Sequence, residues 1–144
     1  MRRINVLAVV VSWVVDIGGS NLAGLAYLAW AATTQRIDQR LLTDQRALLA
    51  DREVSQALLV LGLIVSVIAG FVGARIAGRS HLLYGFLSSV AALAFVPFSL
   101  PDALRTQPLG LVVVGLVGGP VAGIAGGLIA SRMSAGATAA DALA

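Results

Sequence analysis

Hydrophobic and polar positions divide the chain into four apolar runs and their connectors. The runs cover residues 4–32, 54–77, 82–100 and 109–130. Each approaches or exceeds the about 20 residues that an α-helix needs to cross a hydrocarbon core. The first overshoots that length, so its helix must tilt or project beyond the bilayer. Residues 1–133 read as a single transmembrane domain, and 134–144, small and nearly uncharged, as a flexible tail. The pattern predicts an all-α protein, a four-helix transmembrane bundle with no room for a separate soluble domain.

One long polar segment, 33–53, separates the first two runs. It carries Arg36, Asp38, Arg40, Asp44, Arg46, Asp51, Arg52 and Glu53. Ile37, Leu41, Leu48 and Leu49 recur through it near helical spacing, and neither Gly nor Pro breaks it. The spacing predicts an amphipathic helix, lying on the membrane, extending the first span into water or closing a helical hairpin. The turn between the second and third runs is Gly78-Arg79-Ser80-His81. The next is expected at Pro101-Asp102, Arg105 and Pro108.

Within the second run small residues recur as Gly62-x3-Ser66-x3-Gly70-x2-Gly73-x3-Ala77, closed by Arg79. At an offset of 53 the pattern returns as Gly115-x3-Gly119-x3-Gly123-x2-Gly126-x3-Ala130, closed by Arg132. Small residues at every third or fourth position form one flat stripe on a helix. In a membrane such a stripe lets two backbones approach closely. All ten of these positions are therefore expected to pack helices together, as a glycine zipper.

The second and fourth runs match at ten of 23 positions across residues 58–80 and 111–133. The first and third also align, at an offset of 68: Ser20-Asn21 falls on Ser88-Ser89, and Tyr27 on Phe95. The chain then reads as two tandem helical hairpins. Two spans per unit give both copies the same orientation, a parallel internal repeat about an axis along the membrane normal.

Composition sharpens this picture. Only 12% of the 144 residues are charged and 58% are apolar, whereas a soluble domain carries about 25% charged residues. The ten basic residues are all Arg, which excludes a phosphate-loop or Schiff-base lysine. Without Cys there is no disulfide, thiolate nucleophile or thiolate metal site. The net charge of +3 comes from Arg residues at span ends, which points to lipid headgroups and away from nucleic acid. Arg2, Arg3, Arg75, Arg79 and Arg132 share one side and are the candidate headgroup ligands. Arg36, Arg40, Arg46, Arg52 and Arg105 share the other, mixed with acids. The first side hugs the span ends, and the first helix usually sets topology, so both termini are expected in the cytoplasm of a bacterium with the chain in its inner membrane. The opening Met1-Arg2-Arg3 and apolar run resemble a secretory signal. The run is too long for one and Asp16 interrupts it, so it reads as an uncleaved span.

Asp16 is the residue that demands a reason. It lies 13 residues beyond Arg3, about 20 Å along a helix and so within the hydrocarbon layer. A carboxylate there costs about 2.5–3.5 kcal/mol on insertion. Ser12, Asp16 and Ser20 share a face at spacings of four, with Ser66, Ser88 and Ser89 available from other spans. These six residues form the candidate proton or cation site. The alternative is a neutral acid hydrogen-bonded between helices. Enzyme chemistry finds no footing: His81 is the sole His, and it stands seven residues from Ser88, beyond hydrogen-bond reach along one helix. No catalytic residue, metal site or cofactor is expected.

The stretch Gly70-Phe71-Val72-Gly73-Ala74-Arg75-Ile76-Ala77-Gly78-Arg79, followed by His81-Leu82-Leu83-Tyr84-Gly85-Phe86-Leu87, resembles one seen in small bacterial four-span membrane proteins of unknown function. The stretch lies within the middle third of the chain. The resemblance implies fold and location and carries over no functional residue. Two functional expectations follow. The first is a non-enzymatic structural, accessory or assembly component acting through glycine-stripe packing, as a homodimer or in a larger membrane complex. The second is a small proton- or cation-coupled transporter or channel built on Asp16.

Overall fold

The computed structural model describes residues 4–141, almost all of them helical and none in a strand. Arg2 and Arg3 and the last residues of the tail lie outside the described residues, as does the side chain of Arg40. Four long helices carry the fold: α1 (Val6–Thr33), α3 (Arg52–Ala77), α4 (His81–Thr106) and α5 (Leu109–Asp141). Between α1 and α3 stand a 3-10 helix (Gln39–Thr43) and the short α2 (Gln45–Ala50). Three helical stretches are long and apolar enough to cross a membrane, Val6–Thr33, Arg52–Ala77 and Leu109–Ala135, which marks the chain as a membrane protein. The sequence predicts a fourth at 82–100. That run lies within the 26-residue α4, which is not among the three.

Local chemistry sets the helix ends. The Asn5 side chain caps α1 by accepting from the Ala8 amide. Asp44 caps α2, and Asp51 caps α3 through the Val54 amide. Each such cap contributes about 1 kcal/mol. Gly78 closes α3 at φ +65°, a left-handed conformation that side chains resist.

Two expected boundaries differ. The polar segment is not one amphipathic helix. The backbone turns at Gln35, forms the 3-10 helix, and restarts at Asp44 and again at Asp51. Aspartates that bond the amides ahead of them stop a helix from running through. The expected turn at Pro101 is also absent. Helix α4 continues through Pro97 and Pro101 and ends at Gln107, extended at φ −117° and ψ 150° before Pro108. Each proline leaves about one carbonyl without its helical partner, fewer than a full break would. The tail is helical as far as Asp141, in continuity with α5.

The helices run up and down between two small cores. At one end Ala8, Ala74, Tyr84 and Ala130 bury one another, and the Asn5 amide donates to the Tyr84 hydroxyl at 2.6 Å. At the other, Ile37 and Leu48 fold back from the polar segment onto Ala31 and Val54. The segment's apolar face thus covers the assembly rather than lying free. Helix α1 packs on α3 and less on α4. Helix α3 packs on α4 and most extensively on α5, and α4 packs on α5. Outward faces carry Val10, Val14, Leu25, Ile64, Val117 and Val121, exposed apolar side chains suited to acyl chains.

Candidate functional site

The glycine stripes meet along half their length. Helices α3, α4 and α5 converge on Gly123. A Cβ placed there would strike the Gly85 carbonyl and lie 2.7 Å from Ser89 Oγ and 2.9 Å from Ser88 Oγ. A Cβ on Gly70 would strike Gly123 itself. Gly126 abuts the Val67 carbonyl, and Gly127 the carbonyl of His81. Gly73 faces α1, where a Cβ would come within 2.9 Å of Ser12 Cβ. Ala77 packs on the end cluster to which buried Ala130 belongs. These contacts bring backbones together where side chains would hold them apart.

Toward the other end the helices separate. Gly62 and Gly119 have open space where a side chain would start, and Gly115 meets only Leu59 at an ordinary 3.5 Å. The zipper expected at these three positions is therefore not closed. The glycines there line cavities instead. Gly85 and Gly127 do the packing that the two stripes do not account for. For Gly127 the signal is Gly123-x3-Gly127 on α5, and for Gly85 it is Gly85-x3-Ser89 on α4.

Asp16 sits where the separation begins. It is 3% exposed, and Ser66 Oγ donates to its Oδ1 at 2.7 Å. The bond links the middle of α1 to the middle of α3. Asp16, Ile17, Ser20 and Asn21 form one wall of a groove of about 300 Å³. Helix α3 supplies its floor through Leu58, Leu59, Gly62, Leu63 and Ser66, and α5 the opposite wall through Gly115 and Gly119. A second cavity of about 320 Å³ lies among α3, α4 and α5. It shares Leu58, Leu59, Ser66, Gly115 and Gly119 with the first, so Ser66 stands between the two. Leu116 and Pro120 also line the second cavity. Pro120 has no N–H to give the Leu116 carbonyl.

The other predicted site residues divide. Ser20 joins Asp16 on the groove wall. Ser12 is buried one turn away and donates to its own helix at Val9 O, 2.8 Å. Ser88 and Ser89 do not reach Asp16. Ser88 donates to Gly85 O at 2.6 Å, and Ser89 to Gly119 O at 2.9 Å, across from α4 to α5. Both hydroxyls lie on the α4 face that receives Gly123, so they serve the glycine junction. Trp13, not singled out in the sequence, ties α1 to α4 by donating from Nε1 to Leu87 O at 2.8 Å.

No ion pair reaches Asp16 among the described residues. Two pairs, Arg36–Glu53 at 4.0 Å and Arg46–Asp102 at 3.8 Å, are exposed at the end covered by the polar segment. Such surface pairs contribute about 0–1 kcal/mol. Arg75, Arg79 and Arg132 are exposed near the opposite helix ends. No group of three potential metal-ligating acids or imidazoles occurs among the described residues. The site is thus a buried carboxyl group with one hydroxyl partner, facing a mainly apolar groove. Comparison of the chain with protein-family models, curated proteins and solved structures finds no match.

Proposed function

We propose that this chain is a non-enzymatic integral membrane protein crossing the bilayer four times, and that its working part is the Asp16 groove, which makes it a small proton- or cation-coupled transporter or channel. One observation carries the reading: a buried carboxyl group, bonded to Ser66 and without an ionic partner among the described residues, opens onto a cavity of about 300 Å³. An acid within a span is rare, and where it occurs it faces a pathway or a partner.

The four-span architecture has its own support. The 26 residues of α4 extend about 39 Å, enough to cross. Asn5 meets Tyr84 at one end, and Ala31 meets Val54 at the other, as an up-and-down course requires. The tandem-hairpin reading pairs α1 with α4 and α3 with α5. A strict twofold would then match the α3–α4 contact with an equal one between α1 and α5. Packing there is slight at most among the described residues, and the groove occupies that place. In the repeat Asp16 aligns with Tyr84, so the two halves differ in chemistry where they differ in packing. Cytoplasmic termini and a bacterial inner-membrane location follow from the end whose Arg residues lie tight against the spans, with lipids as the partners of Arg75, Arg79 and Arg132.

The structural or accessory reading rests on the glycine contacts. These strengthen the case for a self-contained bundle and weaken the case for assembly through the stripes, because Gly70, Gly123 and Gly126 already face the chain's own backbone. Reconstitution separates the two. Asp16→Asn should abolish proton or cation flux into liposomes while helicity and elution volume stay unchanged. Equal flux from wild type and Asp16→Asn would leave the accessory role as the better account.

A further inference from the structure

We infer that the groove beside Asp16 is a binding site for a small organic cation, a protonated amine or quaternary ammonium with an apolar body. The inference rests on the transport reading of Asp16 and names its ligand class. Three observations lead to it. The carboxyl group is 3% exposed and forms no ion pair among the described residues, so a balancing positive charge must come from a proton or a ligand. The walls around it are mostly apolar: Ile17 on α1 and Leu58, Leu59 and Leu63 on α3. A bare metal cation would need several oxygen ligands, and beyond Asp16 the groove's polar side chains are only Ser20, Asn21 and Ser66. An ammonium group needs the single carboxylate, and its alkyl body gains from covering the leucines.

The glycines make the groove roomy enough. Gly62 and Gly119 line it, and beyond its own helical backbone neither has an atom within 4 Å of where its Cβ would stand. They lie in the same stripes as the close-packed Gly70 and Gly123, yet here the missing side chains leave space. The volume, about 300 Å³, is at the lower end of the range for small-molecule sites. Aromatic side chains are absent from the lining, so the positive charge is recognised by the carboxylate and not by a ring face.

Benzyltrimethylammonium and its uncharged carbon isostere, neopentylbenzene, test the inference by calorimetric titration of the full chain in nanodiscs. The cation should bind saturably, one per chain, and the isostere should not. Asp16→Asn should weaken cation binding by roughly 30-fold or more, the loss expected when one partner of a buried charge pair is neutralised. Gly62→Leu should block the groove, and its open surroundings let the fold survive, as an unchanged melting temperature and helical spectrum would show. Equal binding of the isostere would mean an apolar, lipid-like site and overturn the inference. So would undiminished cation binding by Asp16→Asn, or no binding by wild type. If the cation fails to bind while Asp16-dependent proton or sodium flux persists in liposomes, the ligand class is wrong and the transport reading stands. If both are missing, both fall.

Discussion

Gly123 stands where α3, α4 and α5 converge, with the Gly85 carbonyl and two serine hydroxyls where a Cβ would be. Gly62, in the equivalent kind of stripe, stands in open space. Sequence spacing treats the two alike, and the neighbours decide what each does. Gly123→Ala should therefore destabilise the protein by about 1–3 kcal/mol, because rigid backbone blocks the new methyl group. Gly62→Ala should leave stability unchanged or raise it by up to about 1 kcal/mol, because the methyl group meets nothing and alanine favours the helix. Thermal unfolding of the purified variants in one detergent checks both. Equal melting temperatures would mean that the three-helix junction is looser than its backbone contacts. Ser66 offers a second contrast: Ser66→Ala removes the hydroxyl bonded to Asp16. The loss should be about 0.6 kcal/mol, the average for hydrogen bonds between membrane helices, read in the same melts.

Individual helices owe their placement to a few polar ties. The first turn of α1 is held by the Asn5 cap and by the Tyr84 hydroxyl on α4. Tyr84→Phe keeps the ring in its apolar cluster and removes only the acceptor for the Asn5 amide. Hydrogen exchange should then rise at Asn5 and its neighbours and stay unchanged in the Asp51-capped start of α3. Uniform acceleration across α1 would instead mean that the whole helix depends on this one bond. The polar segment shows how an element is set from both directions. Its apolar residues at helical spacing are all present in the sequence, and Ile37 and Leu48 do bury. Asp44 and Asp51, which the spacing places inside a single helix, act instead as caps, and so one predicted helix becomes short pieces folded over Ala31 and Val54.

Across the whole molecule the testable question is how often the chain crosses the bilayer. Since the chain has no cysteine, any one introduced reports its own side. With four crossings, Ser134→Cys and Gly78→Cys should react with a membrane-impermeant maleimide from one side, and Asp38→Cys and Leu104→Cys from the other. If Gly78→Cys and Leu104→Cys react from the same side, α4 does not cross. The same labels orient the groove, which opens between α1 and α5 nearer the end that carries the polar segment.

Much of this was legible from residue type and spacing alone. Run lengths gave the long helices, because a bilayer sets a minimum apolar length and forces helical hydrogen bonding within it. Asp16 stood out because an acid among such residues is costly wherever the helix is placed. The partners of Asp16 were not legible. Ser66, Ser88 and Ser89 offer the same hydroxyl, and only the rotation and separation of the helices brought Ser66 to the carboxylate and sent the other two to backbone carbonyls. The same holds for the glycines. A stripe declares that a helix face is bare, but whether the bareness closes a junction at Gly123 or leaves a groove at Gly62 depends on where another backbone lies. That position is set jointly by all the packed helices, and no single stretch of sequence contains it.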